Sequence, residues 1–176
     1  MINYFELYDL KPQFKPDSAK VKSKFYELSR KYHPDRFTMA DHAHRAEALR
    51  MAAINNDAYK TLNNLDATMA YVLQLNGLLE QDEKYNLPPA FLMEMMELNE
   101  AITEYEMDEE NESAKKNALA ALEEQMSGWD TVVAPLLSQF DNGEQTPDLL
   151  PKIKDFYFRR KYLLRIQQRV LIFAAH

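Results

Sequence analysis

Residues 31–36 read Lys31-Tyr32-His33-Pro34-Asp35-Arg36, and this short stretch decides the fold of the N-terminal half of the chain. Pro34 disfavours the α conformation at His33, so a preceding helix must end near Tyr32. That helix begins at Asp17 or Ser18, either of which can cap it. Its apolar residues repeat at helical spacing along one face: Val21, Phe25, Leu28 and Tyr32. The His-Pro-Asp tripeptide is therefore predicted to lie in a loop after a helix.

A second long helix is predicted on the other side of this loop, from about Asp41 to Leu62. Its inward-facing side chains recur at helical spacing: Met51, Ile54, Ala58 and Leu62. Asp66 is predicted to cap a shorter helix that runs to about Leu75. The tripeptide thus joins the two arms of an antiparallel helical hairpin, within a domain of residues 1–75.

A boundary is predicted after this domain, because residues 76–87 mix Asn, Gly and Pro with charged side chains and show no sustained period. We interpret residues 76–87 as a linker. Pro88 and Pro89 can open the next helix, since proline is well tolerated in a first helical turn. That helix is predicted to run to about Met107.

Two further helices are predicted over residues 112–140 and 148–173, and Pro135 should kink or shorten the first of them. Three long helices with short connections predict a three-helix bundle over residues 88–176. The predicted fold class is all-α, in agreement with a composition that includes only three glycines among 176 residues.

The charged residues are separated along the chain. Residues 15–36 carry seven Lys or Arg against three acids, whereas residues 85–114 carry nine acids and no Lys or Arg. A chain that separates its charges in this way is expected to present two different surfaces to partners. The alternative is that both are solvated faces without partners.

The His-Pro-Asp turn suits docking better than catalysis. A rigid turn that contains proline can hold an imidazole and a carboxylate outward at a fixed separation. A catalytic His–Asp pair would also need a nucleophile or a substrate pocket, which a small helical hairpin does not offer. We therefore expect no enzymatic activity. The alternative is that Asp35 caps the next segment and His33 is an ordinary loop residue.

The helix after Pro89 has an unusual distribution of apolar residues. At about 100° per residue, one narrow arc forms its core face: Phe91, Met95, Leu98, Ile102 and Tyr105. Leu92 and Met96 lie on a flank, and Met93 lies among the opposite acids. Exposed apolar side chains beside carboxylates indicate an interaction site, unless the last helix covers Leu92 and Met96.

The first 75 residues resemble a J-domain. Residues 4–10 resemble its first helix, residues 32–36 its signature loop, and Ile54-Asn55 with Ala58-Tyr59 and Leu62 its third helix. The resemblance implies binding to a DnaK-type chaperone whose ATP hydrolysis is stimulated. The residues that it implies for chaperone binding are His33, Pro34, Asp35, Lys20, Lys24, Arg30, Lys31 and Arg36.

The second half resembles the C-terminal domain of HscB-type co-chaperones, which are J-proteins of iron–sulfur cluster assembly. The resemblance rests on Phe91-Leu92-Met93-Glu94 and on the acids that follow, and it implies a dedicated HscA-like chaperone and an iron–sulfur cluster scaffold protein (IscU-like) as partners. The implied scaffold-binding residues are Leu92, Met93, Met96, Glu97, Glu100, Glu104 and Phe158. Phe156 is an alternative to Phe158 at a different register. Leu65 and Thr68 stand where this family usually has Pro and Arg.

Other sites and classes are disfavoured. Asp41, His42 and His44 do not predict a zinc site, because the i, i+2 histidines split across a helix and no third ligand is evident. The segment from Phe156 to Lys161 superficially resembles a nucleic-acid patch, but we expect its rings in the bundle and its cations paired with the acidic helix.

The expected class is a cytoplasmic adaptor without cofactor, bound metal, nucleic acid or membrane. No Gly-rich phosphate loop is present, and there is no cysteine for thiol chemistry. The start of the sequence does not resemble a secretory signal or transit peptide. Two alternatives stay open: a J-protein with a different or general client, and a structural helical adaptor in which the tripeptide is accidental.

Overall fold

The computed structural model describes all 176 residues and contains seven α-helices and no strand. The predicted all-α fold class is confirmed. Two compact units are present. The first comprises Met1–Gly77 with Phe140–Asn142, and the second comprises Leu78–Gln139 with Gly143–His176.

The first unit contains four α-helices and one short 3₁₀ helix. In chain order they are α1 (Tyr4–Leu7), α2 (Ser18–Lys31), the 3₁₀ helix (Pro34–Phe37), α3 (His42–Leu62) and α4 (Leu65–Leu75). The long helices α2 and α3 pack against each other, and α3 also contacts α4 and the 3₁₀ helix. The predicted helical hairpin is therefore present.

The caps explain where these helices begin. The Asp17 carboxylate accepts a hydrogen bond from the Ala19 amide at 2.9 Å and so starts α2. The prediction that Asp66 caps α4 is wrong. The Asn64 side-chain oxygen accepts from the Ala67 amide at 2.9 Å, and Asp66 already lies inside the first turn of the helix.

The core of the first unit draws on all four helices. Its most deeply buried apolar side chains include Phe5, Val21, Leu28, Ala58, Met69, Val72 and Leu73. Thr68 is also buried, and its hydroxyl lies 2.8 Å from the carbonyl oxygens of both Thr61 and Asn64. The hydroxyl thus has partners, as a buried polar group requires, and α4 packs without the Arg that the family usually has there.

The second unit contains α5 (Pro89–Met107), all but the last two residues of α6 (Glu112–Asp141), and α7 (Leu149–Ala174). Of the two effects predicted for Pro135, shortening of α6 does not occur, because the helix continues through Pro135 to Asp141. A proline removes one backbone hydrogen bond from a helix interior. Val133 and Leu137 are both buried on either side of it, and their packing holds this part of α6 in the bundle.

The segment before α5 contacts α7. The Lys154 ammonium pairs with the Glu83 carboxylate at 2.8 Å, and the Tyr85 hydroxyl donates to Asp155 Oδ1 at 2.8 Å. Within the segment 76–87 that the sequence predicted as a linker, Glu83 and Tyr85 thus have defined partners in the second unit. None of the seven helices combines the length and the hydropathy that crossing a bilayer requires.

Candidate protein-binding surfaces

The His-Pro-Asp loop lies between the end of α2 and the 3₁₀ helix. His33 is the N-cap residue of the 3₁₀ helix, and its Nδ1 accepts a hydrogen bond from the Asp35 amide at 3.2 Å. The alternative from the sequence was that Asp35 caps the next segment and that His33 is an ordinary loop residue. In the structure His33 is the cap, and Asp35 is not. A neutral imidazole that accepts at Nδ1 carries its proton on Nε2, so that N–H is a donor available to a partner.

Both side chains of this loop that were predicted to bind a chaperone face solvent. The His33 side chain is 58% exposed and the Asp35 side chain is 88% exposed, with the nearest carboxylate oxygen 3.7 Å from His33 Nδ1. The loop therefore presents a hydrogen-bond donor and an acceptor close together on a rigid Pro34-containing turn. This arrangement suits recognition of a polar or charged surface.

The cations around the loop differ in their exposure and in whether they form ion pairs. Lys20, Arg30, Lys31 and Arg36 are exposed. Lys24 is only 21% exposed, and its ammonium pairs with Asp9 at 2.6 Å and with Glu27 at 3.2 Å. The hydrogen bond that Lys24 donates to Asp9 is the main reason that the pKa of Lys24 is raised. Of the predicted chaperone-binding cations, Lys24 is therefore the one already held in ion pairs within the unit.

A buried polar network behind the loop had not been assigned a role from the sequence. Asn55 on α3 is 1% exposed, and its side-chain oxygen accepts from the Tyr8 hydroxyl at 2.7 Å. Its amide nitrogen donates to the Phe25 carbonyl and to the Ser29 hydroxyl, each at 3.1 Å. Asn55 thus ties α3 to α2 and to Tyr8. The sequence feature that could have indicated the burial of Asn55 is its position four residues after Met51, which was predicted to face inward.

The apolar–acidic face of α5, which we define as Leu92, Met93, Met96, Glu97, Glu100 and Glu104, lies on the surface of the second unit. The five predicted core residues of α5 are all buried. By contrast, Leu92 is 39% exposed, Met93 66% and Met96 63%. The alternative that α7 covers Leu92 and Met96 is therefore wrong. Three apolar side chains do lie exposed beside three exposed carboxylates.

A polar cluster borders this face and was not found from the sequence. Arg169 of α7 donates to Asn99 Oδ1 at 3.1 Å and to the Thr103 hydroxyl at 3.3 Å, and it forms an ion pair with Glu106. These contacts join α5 to α7 along the flank that carries Met96. Beside them lies an open groove of about 430 Å³ lined by Met96, Asn99, Glu100, Thr103 and Glu104.

Phe156 and Phe158 of α7 have different surroundings. Phe158 stacks on Tyr85 with ring centroids 4.5 Å apart and an interplanar angle of 6°. Phe156 lines a cavity of about 190 Å³ together with Glu94, Trp129 and other residues. Phe158 and Arg169 are about three helical turns apart on α7 and so share one side of it. This is the side of α7 from which Arg169 reaches Asn99 on α5.

The sequence predicted that the cations near these rings pair with the acidic helix, but Arg159 has a different acidic partner. Arg159 pairs with Asp155 on its own helix at 2.6 Å, and its guanidinium lies 4.6 Å from the centre of the Phe156 ring. Arg160 lies 4.7 Å from the centre of the Trp129 ring. Arg169, further along α7, forms an ion pair with Glu106 of α5.

The residues considered for a metal have a structural role. Asp41 caps α3 by accepting from the His44 amide at 2.9 Å, and its carboxylate lies 2.7 Å from His44 Nδ1. The backbone hydrogen bond from His44 is the main cause of a lowered pKa at Asp41. The pattern is that of a helix cap.

The helical hairpin with its exposed His-Pro-Asp loop, followed by a separate helical unit, defines the class: a J-domain co-chaperone. The family described as "HSCB C-terminal oligomerisation domain" matches residues 87–171. The co-chaperone protein HscB homolog of Vibrio vulnificus is 35% identical over 161 residues, which cover 91% of this chain and 92% of that protein. The homolog of Psychromonas ingrahamii is 31% identical over 97% of this chain and 96% of its own length. The chain belongs to the HscB family of co-chaperones.

Two solved structures show the same fold. The crystal structure of the human co-chaperone protein HscB has a TM-score of 0.77 and 26% identity, covering 98% of this chain and 82% of that one. The chaperone HscB from Vibrio cholerae has a TM-score of 0.72 and 30% identity, covering 96% of this chain and 95% of that one. The similarity therefore extends over both units.

Proposed function

We propose that this protein stimulates ATP hydrolysis by a dedicated DnaK-type (HscA-like) chaperone and delivers an IscU-like iron–sulfur cluster scaffold protein to it. In this role it assists the maturation of iron–sulfur proteins in the cytoplasm, acting as an adaptor without an active site of its own. Membership of the HscB family supports the proposal.

The chaperone-binding half of the proposal is supported by the loop geometry. His33 and Asp35 are exposed on a turn whose conformation is restricted by Pro34 and by the hydrogen bond at His33 Nδ1. The surrounding cations would bind an acidic surface of the chaperone and raise the association rate. The proposed contacts are His33, Pro34, Asp35, Lys20, Arg30, Lys31 and Arg36, with Lys24 joining them if the chaperone displaces Asp9.

The scaffold-binding half is supported by the apolar–acidic face of α5. Methionine side chains adapt their shape to a partner surface, and the adjacent carboxylates favour a scaffold that carries cations at the edge of an apolar patch. Phe158 lies on the side of α7 from which Arg169 reaches α5, whereas Phe156 lines a cavity beside Trp129, and this difference favours Phe158 as the aromatic contact.

The observation that carries the proposal is that each of the two units exposes one of these surfaces. The direct test is the ATPase rate of an HscA-like chaperone, measured with this protein and with or without an IscU-like scaffold. Wild-type protein is expected to stimulate the rate, and the scaffold is expected to raise it further.

The variant His33→Gln is expected to lose the stimulation while binding scaffold with unchanged affinity, because the two surfaces lie on different units. The side chain is exposed, so the free energy of unfolding should change little. Full stimulation by the variant would refute the chaperone-binding role of the loop. If the wild type stimulates the ATPase equally with and without the scaffold, the result would instead favour a J-protein with a different or general client.

A further inference from the structure

The ring of Phe158 is held in place by Tyr85, which precedes α5, and by its neighbour Tyr157 on α7. Tyr85 stacks on one of its faces at 4.5 Å, nearly parallel. Tyr157 meets it edge-on at 5.2 Å, with an interplanar angle of 75°. An aromatic side chain with neighbours in both directions loses most of its rotational freedom before any partner arrives.

Tyr85 is itself fixed at its hydroxyl end. The phenol donates to Asp155 Oδ1 at 2.8 Å, and the other oxygen of the same carboxylate accepts from Arg159 Nε at 2.6 Å. The pKa of Tyr85 is raised to about 12. Burial is the largest cause, and the hydrogen bond to Asp155 is the next. The phenol therefore remains a hydrogen-bond donor throughout the neutral range.

The segment around Tyr85 is anchored a second time. Glu83 pairs with Lys154 at 2.8 Å, and the Lys154 ammonium lies 5.7 Å from the centre of the Tyr85 ring. The hydrogen bond, the ion pair and the ring stack all involve the first three turns of α7. Residues 83–85 thus pack against the stretch of α7 that carries Phe158.

We propose that Tyr85 is a positioning residue for scaffold binding, which fixes the ring of Phe158 in the orientation that the scaffold meets. This inference rests on the proposed scaffold-binding function. The physical reason is preorganisation: a side chain already ordered in the free protein loses less conformational entropy on binding. Tyr85 acts through Phe158 and does not need to touch the scaffold.

The test is the affinity of full-length variants for a purified IscU-like scaffold protein, measured with its dissociation rate. Tyr85→Ala is expected to weaken binding by about three- to tenfold, mainly through faster dissociation. Tyr85→Phe keeps the ring stack and should bind within about twofold of the wild type. Asn86→Ala changes the exposed neighbouring residue and is the matched control.

A double-mutant cycle separates positioning from direct contact. In a Phe158→Ala background, adding Tyr85→Ala is expected to cause no further loss of affinity, because its target is already absent. A ¹⁹F label on the Phe158 ring should give one sharp resonance in the wild type and in Tyr85→Phe, and a shifted or broadened one in Tyr85→Ala. Tyr85→Leu, which retains apolar volume, serves for these measurements if Tyr85→Ala does not fold.

Unchanged affinity of Tyr85→Ala and Tyr85→Leu would overturn the inference, and so would additive losses in the cycle, which would mean that Tyr85 contacts the scaffold itself. These outcomes are distinguishable from failure of the proposed function. If the proposed scaffold-binding function is itself wrong, neither these variants nor alanine substitutions on α5 would alter scaffold binding.

Discussion

At the scale of single residues, Asn55 shows how the His-Pro-Asp loop obtains a rigid base. The loop is exposed and has few contacts of its own, so its position depends on how α2 is held against α3. The Asn55 side chain supplies that link, since it bonds simultaneously to Tyr8 and to the Phe25 carbonyl and Ser29 hydroxyl of α2. A buried amide with all its partners satisfied specifies one register of the two helices.

Truncation of this network should destabilise the first unit. Asn55→Ala is expected to lower the free energy of unfolding by about 1–3 kcal/mol, because it leaves buried polar partners unsatisfied. Asn56→Ala, at the exposed neighbouring position, should stay within about 0.5 kcal/mol of the wild type. Denaturant titration of both variants measures the difference. Equal stabilities of the two variants would show that the network contributes nothing.

At the scale of the element, α5 uses one side of its helix for the core and another for the surface. Phe91, Met95 and Leu98 are buried, whereas Leu92, Met93 and Met96 interleave with them in sequence and remain exposed. A helix that only had to pack would place polar residues at those three positions. The pattern supports the proposal that α5 both builds the bundle and binds a partner.

Alanine at Leu92, Met93 and Met96 together should weaken scaffold binding without unfolding the bundle. We expect an affinity loss of about tenfold or more, since exposed apolar anchors at an interface each contribute on the order of 1 kcal/mol. The matched control is Leu119→Ala on α6, because Leu119 is 42% exposed and Leu92 39%. Calorimetric titration with the scaffold measures the effect. A triple variant that binds like the control would remove α5 from the proposed interface.

The helices were largely predictable from the sequence, because periodicity and breakers are local signals. Pro34 ends α2 within one turn, and the wheel of α5 separates Met95 from Met96 without knowledge of the neighbours. The missed features depend on residues distant in the chain. Asn55 meets Tyr8 across 47 positions, and Tyr85 meets Asp155 across 70. Whether α7 covers Met96 is likewise a question of packing that the pattern of one helix does not answer.

At the scale of the whole molecule, the proposed function depends on having both surfaces on one chain. A scaffold bound to α5 is tethered to a chaperone bound at the His-Pro-Asp loop, so the second encounter becomes intramolecular. Such tethering raises the effective concentration to about the millimolar range for short connections. Two separate proteins that each carry one surface would not provide this gain.

Mixing two full-length variants tests this dependence directly. His33→Gln should bind the scaffold but not stimulate the chaperone. The triple variant, which has alanine at Leu92, Met93 and Met96, should stimulate the chaperone but bind the scaffold weakly. If both sites must lie on one chain, an equimolar mixture will show no more scaffold-dependent ATPase stimulation than the triple variant alone. Wild-type protein at the same concentration is the positive control. Restoration of wild-type stimulation by the mixture would mean that the two surfaces act independently, and the tethering mechanism would then be wrong even if each surface binds its proposed partner.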